Sequence, residues 1–230
     1  MNRVDTRRAV HVVAAAVIDA ADRVLIAQRP TGVHLAGGWE FPGGKLEAGE
    51  ERRAGLAREL DEELGIRIEN PRPLIRVRHS YPSRDVLLDM WVVRRYSGEP
   101  RGLDGQALRW CPQDELAAAD LLPADKPIVR ALRLPVRLTR AETPDYCVAE
   151  LGIDAGDARM RGFYCRDIAQ GEAAASAGAD FLVMRVAVPA DELEDLCRSV
   201  PLPVYACGID LSPAWALGAT GVNLIDATPA

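Results

Sequence analysis

The stretch GGWEFPGGKLEAGEERRAGLARELDEELGI, residues 37–66, runs from a glycine-rich turn into a predicted helix with an unusually acidic end. The helix is predicted over Glu50–Leu64. Within it Glu59, Glu62 and Glu63 are spaced i, i+3 and i+4, so they share one face. Like charges at this spacing repel, and acids near a helix C-terminus oppose the macrodipole. A solvated acidic face is the ordinary interpretation, but it does not explain why the helix carries this cost.

A divalent cation would reverse the electrostatic problem, because hard cations bind clustered carboxylate oxygens. The preceding residues 42–44, Pro-Gly-Gly, allow the backbone to approach a ligand closely. Glu50 lies at the helix start, and Arg58 can pair with Glu59 and orient the cluster. Magnesium held by a few carboxylates keeps waters and binds substrate phosphates. The stretch therefore predicts a metal site that acts on a phosphate ester or anhydride.

Composition narrows the class of protein. With 48% hydrophobic and 27% charged residues, the chain of 230 residues is ordinary for a soluble globular protein. The net charge of −6 argues against a stable nucleic-acid complex or a membrane-surface binder. The five cysteines form no C-x-x-C pair, which favours buried thiols in a reducing cytoplasm. We expect a cytoplasmic protein without a membrane span.

The first part of the chain, residues 1–134, is predicted to be a mixed α/β domain, with Gly65 ending the acidic helix. Between the first two strands, DAAD (residues 19–22) could close a hairpin. The predicted strands are Val10–Ile18, Arg23–Arg29, Leu74–His79, Val86–Arg95 and Leu108–Cys111, followed by a short helix at Pro127–Leu132.

The second part, residues 147–230, changes character. Residues 135–146 carry two prolines and no clear period, which predicts a linker. Beyond them, short apolar runs alternate with alanine-rich helical stretches, which is typical of βα units with a parallel sheet. The predicted strands are Phe163–Cys165, Phe181–Val186, Val204–Cys207 and Val222–Ile225. About four βα units are expected, too few for a full (β/α)₈ barrel.

The acidic helix carries a recognisable family pattern. Gly44, five residues, Glu50, seven residues and then RELDEELGI (58–66) resemble the Nudix box at every defined position. The resemblance implies a Nudix fold, an α/β/α sandwich, and metal-dependent cleavage of a nucleoside diphosphate linked to another group. It implies Mg²⁺ as the cofactor, with Mn²⁺ as a possible substitute. The implied metal ligands are Gly43, through its carbonyl, and the carboxylates of Glu50, Glu59, Glu62 and Glu63.

Residues 10–133 look most like MutT-type 8-oxo-dGTP diphosphatases, through Arg29, WEFPGGK (39–45), GEP (98–100) and PADKPIV (123–129). This likeness implies hydrolysis of 8-oxo-dGTP to the monophosphate and pyrophosphate, which would clear oxidised nucleotide from the replication and repair precursor pool. The implied catalytic residues are Glu59, Arg58, Glu62 and Asp104. The implied substrate-binding residues are Arg29, Phe41, Lys45, Tyr81, Arg84 and Asp125. Many relatives have asparagine at Asp125, and an ionised carboxylate only accepts hydrogen bonds.

The second part resembles a truncated thiamine-phosphate synthase or TenI-like barrel, through GFYCRD, LPVYACGID and ALGATGVNLI. The glycine pair expected in a phosphate site appears here as Gly208-Ile209, which adds a Cβ where the backbone should approach phosphate. We therefore expect an accessory domain. Self-association into a homodimer is one way to shield its sheet edges. Two alternatives stay open: a Nudix hydrolase of a canonical NTP or an ADP-sugar, and a nucleotide sensor acting through the second domain. The missing half-barrel disfavours a bifunctional thiamine enzyme.

Overall fold

The chain folds into two compact units. The computed structural model describes residues 9–32, 35–82, 84–150 and 160–225. The first unit comprises residues 1–71 and 77–129, and the second comprises residues 72–76 and 130–230. Among the described residues, no helix is both long enough and apolar enough to cross a bilayer.

The first unit is mixed α/β. Its strands are β1 (Val10–Val17), β2 (Arg23–Gln28), β3 (Trp39–Glu40), β4 (Gly43–Lys45), β5 (Arg67–Glu69), β6 (Arg72–Tyr81, whose first five residues group with the second unit), β7 (Arg84–Val93), β8 (Arg95–Ser97) and β9 (Leu108–Pro112). Its helices are α1 (Arg52–Leu64) and α2 (Lys126–Ala131), with a 3₁₀ turn at Leu116–Ala118. The sheets have the orders β4-β1-β7-β6, β3-β2-β9 and β5-β8.

The sequence predicted a hairpin between β1 and β2, and the structure forms only its turn. The turn forms, because the Asp19 carboxylate accepts hydrogen bonds from the N–H groups of Ala21 and Arg23. Only one antiparallel bridge, Ile18 to Val24, then joins the two described segments. Along its whole length β1 instead pairs in parallel with β7, and β2 pairs with β9 in another sheet. Strand β1 therefore pairs with β7, which is distant in sequence, and not with the adjacent strand β2.

Helix α1 packs its apolar face on the central strands β1 and β7. Leu56, Leu60 and Leu64, spaced four apart, are fully buried against Val13 and Trp91. Full burial stabilises the fold by roughly 1.5–3 kcal/mol for each leucine. This packing fixes the helix rotation, so the glutamate face of α1 points toward β4.

The two ends of α1 are capped by different chemistry. The predicted stop at Gly65 is confirmed: its φ is 68°, and its N–H donates to the Asp61 carbonyl. The helix starts at Arg52, two residues later than the predicted Glu50. The Glu51 carboxylate accepts from the N–H groups of Arg53 and Ala54, so Glu51 is the N-cap.

The second unit is built on a curled parallel sheet with the order β10-β15-β14-β13-β12-β11. Its strands are β10 (Arg137–Leu138), β11 (Tyr146–Ala149), β12 (Met160–Cys165), β13 (Phe181–Met184), β14 (Val204–Ala206) and β15 (Gly221–Asn223). Its helices are α3 (Ile168–Ser176), α4 (Ala190–Ser199) and α5 (Leu211–Ala216). One apolar cluster joins the sheet to these helices, and a second contains Tyr146, Phe181 and Tyr205 in edge contacts.

The sheet has two more strands in its described part than the sequence predicted. Strand β10 lies inside residues 135–146, which were expected to be a linker, and pairs in parallel with β15. With only two paired residues, β10 is too short to show a period in the sequence. Its place is set by ladder bonds such as that from the N–H of Leu224 to the Leu138 carbonyl.

Candidate functional site

The glycine turn and helix α1 bring two glutamates against strand β4. The Gly43 N–H donates to Glu63 Oε2 at 3.3 Å. A Cβ added to Gly44 would lie 2.1 Å from Glu59 Oε2, so the Glu59 carboxylate rests directly on the Gly44 backbone. At Gly43, φ is +149° and a Cβ would lie 2.2 Å from the Val13 carbonyl oxygen. Glycine at position 43 lets β4 pack against the backbone of β1, and glycine at position 44 leaves room for the Glu59 carboxylate.

Arg58 links the other carboxylates of the cluster. Its Nε and Nη2 donate to the two oxygens of Glu50 at 2.9 and 3.0 Å, a bidentate pair. Its Nη1 donates to Glu59 Oε1 and Glu62 Oε2, each at 3.0 Å. We call Glu50, Glu59, Glu62 and Glu63 the acidic cluster. Arg58 thus donates to three of its four carboxylates.

The pKa values of Glu50 and Glu63 show that positive charge is unevenly distributed over the acidic cluster. The hydrogen bonds from Arg58, and then that from the Glu47 N–H, lower the pKa of Glu50 to about 2. For Glu63, burial raises the pKa to about 7; the Gly43 N–H opposes this, and the charges of Glu59, Glu40 and Asp104 add to it. Arg58 therefore satisfies one end of the cluster, while the end at Glu63 lacks positive charge.

A divalent cation fits this cluster. In the described residues, no three acidic, histidine or cysteine side chains form a group that could hold a metal ion as they stand. Arg58 donates hydrogen bonds to Glu50, Glu59 and Glu62 of the acidic cluster. The fit rests on two observations: burial and neighbouring negative charges raise the pKa of Glu63, and the Glu59 carboxylate lies against the Gly44 backbone beside it. Clustered carboxylate oxygens beside a backbone turn are the donor set that Mg²⁺ and Mn²⁺ take.

Two predicted site residues lie at the edge of the acidic cluster. Asp104 is exposed, in a loop held on α1 by the hydrogen bond from the Leu103 N–H to the Glu63 carbonyl. Its charge reaches Glu63, whose pKa it helps to raise. Lys45 is exposed at the end of β4, and its carbonyl accepts from Arg58 Nη2 at 3.2 Å.

A second group of side chains lies near the ends of β2, β3 and β6. Arg29 Nη1 donates to both oxygens of Glu40, at 2.6 and 2.9 Å. Asp125, just before α2, is only 4% exposed. Burial raises its pKa well above the usual range, and the Glu40 charge raises it further against the opposing effect of Arg29. Burial also raises the pKa of Tyr81, and the charge of Asp125 adds to this. We call Arg29, Glu40, Tyr81 and Asp125 the base-side group.

Arg84 lies beside this group, and Phe41 is buried. A cavity of about 110 Å³ is lined by Arg29, Tyr81 and Arg84, together with apolar side chains. The Nε atom of Arg84 is buried and has no hydrogen-bond partner among the residues that the structure describes. Phe41 is only 3% exposed and belongs to the buried hydrophobic residues.

Glu40 is the member of the base-side group that sequence reasoning missed. Glu40 lies inside the glycine-rich stretch, where its sequence position does not distinguish it from the other acidic residues. Its role emerges from the pairing of β2 with β3, which sets Glu40 opposite Ala27 and near Arg29. Burial raises the pKa of the Glu40 carboxyl, and the charge and hydrogen bonds of Arg29 oppose that rise.

Comparison with known proteins identifies the family of the chain. Residues 13–131, just over half of the chain, match the model of the NUDIX domain family. The chain is 36% identical over 112 residues to an 8-oxo-dGTP diphosphatase of Escherichia coli K12, an alignment covering 49% of this chain and 87% of the relative. It is 39% identical over 119 residues to a CTP pyrophosphohydrolase of the same bacterium, covering 52% and 88%. The solution structure of the E. coli ORF135 protein superimposes with a TM-score of 0.51 and 35% identity, covering 57% of this chain and 93% of that one. Because the family model matches more than half of the chain, the chain belongs to the NUDIX family.

Proposed function

We propose that the protein is a Mg²⁺-dependent Nudix pyrophosphohydrolase that cleaves nucleoside triphosphates to a monophosphate and pyrophosphate. The observation that carries this is the seating of Glu59 and Glu63 on the backbone of Gly43 and Gly44. Family membership supports the same reaction class. Mn²⁺ is expected to substitute for Mg²⁺, because both prefer oxygen ligands.

Each residue of the site has a proposed role. The Gly43 carbonyl and the acidic cluster would hold the cation, and Glu59 would accept the proton of the attacking water. A bound cation supplies positive charge that neutralises phosphate oxygens and acidifies water. Arg58 orients Glu50 and Glu59 through the bonds described above. Lys45 steadies the phosphates, and Asp104 serves as a further acid at the edge of the site.

The base-side group supports 8-oxo-dGTP as the substrate. The raised pKa of Asp125 favours a neutral carboxyl, which donates one hydrogen bond and accepts another. Such a carboxyl can therefore do what the asparagine of many relatives does. An 8-oxopurine offers an N7–H donor beside the O6 acceptor, whereas in guanine both atoms are acceptors. A neutral Asp125 thus pairs twice with the oxidised base and once with guanine.

CTP is the second candidate, because cytosine also offers a donor and an acceptor side by side. Its N4 amino group donates and its N3 accepts, so a neutral carboxyl pairs with both. The likeness to a CTP pyrophosphohydrolase supports testing it. Arg29 and Arg84 would contact the base or the phosphates. Their side chains line the cavity that Tyr81 also borders.

The substrate is tested by measuring pyrophosphate release with Mg²⁺ for 8-oxo-dGTP, dGTP, CTP, dCTP and ADP-ribose. We expect kcat/KM for 8-oxo-dGTP to exceed that for dGTP by about 10-fold or more, since one hydrogen bond to a buried partner is worth about 1–3 kcal/mol. Equal rates on dGTP and 8-oxo-dGTP would overturn the proposed role in clearing oxidised nucleotide from the precursor pool. A complete lack of turnover would favour a nucleotide-binding sensor acting through the second unit.

Asp125→Asn tests the protonation of Asp125. The folded-state pKa of this carboxyl lies above its ordinary value of 3.8, so the folded chain keeps a proton that the unfolded chain releases. The contribution of Asp125 to the stability of the wild type therefore falls as pH rises from about 4 toward the folded pKa. An amide does not titrate, so the stability gain of Asp125→Asn over the wild type should grow across this window and then level off. Urea unfolding at a series of pH values measures it.

The same variant separates the base-reading role from stability. Its side-chain amide donates and accepts at every pH, so KM for 8-oxo-dGTP should stay near the wild-type value at low pH and should vary less at high pH. Asp125→Ala is the matched variant, because it removes both hydrogen bonds and should weaken binding at all pH values. Parallel pH profiles for the wild type and Asp125→Asn would show that another group controls base binding.

For the second unit we propose a shortened βα barrel in an accessory role. Its curled parallel sheet supports the likeness to a βα barrel. The short β10 lies at one edge of the six described strands, and an edge strand presents backbone groups that a homodimer would cover. A cytoplasmic location fits a substrate drawn from the nucleotide pool. Light scattering of the full chain tests the dimer, and a monomer at all concentrations would refute it.

A further inference from the structure

Strand β7 carries a buried acid that the proposed reaction does not use. The Asp89 side chain is 2% exposed, on the face of β7 that also carries Trp91 and packs against α1. Arg52 Nη1 donates to Asp89 Oδ2 at 3.3 Å, and His11 Nε2 lies 3.6 Å from the same oxygen. A buried carboxylate needs such compensation, because removing a charge from water costs several kcal/mol.

Arg52 is placed against the usual charge preference of helices. It is the first residue of α1, where the macrodipole favours acids and disfavours bases. Its side chain turns toward the sheet, with the guanidinium 5.9 Å from the centre of the Trp91 ring. Because Arg52 opposes the helix dipole and yet pairs with the buried Asp89, we infer that it has a role beyond helix stability.

We propose that Asp89 is a positioning residue that, through Arg52, fixes the start of α1 and with it the loop that delivers Glu50. This inference rests on the proposed function, because it assigns Asp89 to the metal site of that reaction. Glu50 is two residues before Arg52, and a Cβ at Gly55 would lie 2.8 Å from Glu50 Oε2. The Glu50 carboxylate is therefore packed on the first turns of α1. A shift of the helix start moves Glu50 and, through their bidentate bond, Arg58.

The test is Asp89→Asn, read by direct Mn²⁺ titration with electron paramagnetic resonance and by steady-state kinetics. Residues that hold metal ligands in place typically change metal affinity or activity by about 10- to 100-fold when altered. We expect the Mn²⁺ dissociation constant and the half-saturating Mg²⁺ concentration to rise about 10-fold. KM for the nucleotide at saturating Mg²⁺ should stay near the wild-type value, because Arg52 and His11 lie outside the base-side group.

Two further variants separate positioning from stability. Asp89→Leu combined with Arg52→Met replaces the buried pair by apolar side chains, an exchange that often leaves stability unchanged or improved. It should fold like the wild type and still bind Mn²⁺ about 10-fold more weakly. Asp19→Asn is the matched control, because Asp19 also pairs with an arginine, Arg23, but in the β1–β2 turn. It should lose stability without a change in Mn²⁺ affinity.

The outcomes distinguish this inference from the function on which it rests. Wild-type protein that neither binds Mn²⁺ nor releases pyrophosphate would refute the proposed function, and the positioning role with it. An active wild type with a double variant of unchanged Mn²⁺ affinity would overturn the role of Asp89 alone. An equal loss of Mn²⁺ affinity in Asp19→Asn would show that general destabilisation is the cause.

Discussion

Glu59→Gln is expected to lower kcat by about 10²- to 10⁴-fold, the range typical for loss of a general base. Glutamine keeps the size and shape of the side chain, so its packing on the Gly44 backbone is retained. It removes the negative charge that would bind the cation and accept the proton of the attacking water. Circular dichroism and urea unfolding should therefore resemble the wild type, while pyrophosphate release falls.

Asp61→Asn is the matched control for this prediction. It removes one negative charge from the same helix, but Asp61 is exposed. Its activity should stay within about 2-fold of the wild type, since an exposed charge contributes little at this distance. If Glu59→Gln retains wild-type kcat, Glu59 is not the base, and Glu62, Glu63 or Asp104 must be tested in its place.

Gly44→Ala is expected to reduce kcat/KM by about 100-fold or more without unfolding the protein. The new Cβ would lie 2.1 Å from Glu59 Oε2, inside contact distance. The obstacle is the far end of a flexible side chain, so Glu59 moves aside and the backbone stays in place. A displacement of about 1 Å at a catalytic group can cost about 10²-fold in rate. Kinetics with Mg²⁺ and thermal unfolding measure the two effects separately.

Gly32→Ala provides the comparison. Gly32 has a φ of +88° and nothing within 4 Å of an added Cβ, so alanine meets backbone strain but no clash. Such strain costs about 1–3 kcal/mol of stability. Activity per folded molecule should be unchanged. If Gly44→Ala loses stability but keeps full activity, the Glu59 carboxylate does not act from its position on the Gly44 backbone.

The acidic helix is the part of the fold that local sequence signals predict best. The four-residue spacing of Leu60 and Leu64 predicts one apolar face, and Gly65 adopts the left-handed conformation that a helix stop requires. These signals act within one or two helical turns, so they can be read without the rest of the chain. The grouping of Glu59 with Glu63 follows from the same periodicity.

Pairings between distant segments could not be predicted in this way. The turn at Asp19 forms as its sequence indicates, yet β1 takes its partner from β7, far along the chain, where Val10 lies opposite Val86. Strand β10 consists of two residues and exists only because β15 offers it an edge. Strand pairing depends on which edges meet in space, and a short segment carries no record of its partner.

The sequence by itself determined the acidic cluster and its chemistry, because a helix converts fixed spacing into a shared face. Tertiary structure alone decided the environment of each acid. It placed the Gly44 backbone under Glu59, buried Asp125 beside Glu40, and set Asp89 beneath Arg52 at the helix start. Burial and neighbouring charges depend on contacts between distant segments, and these contacts give identical carboxyl groups different pKa values and different roles.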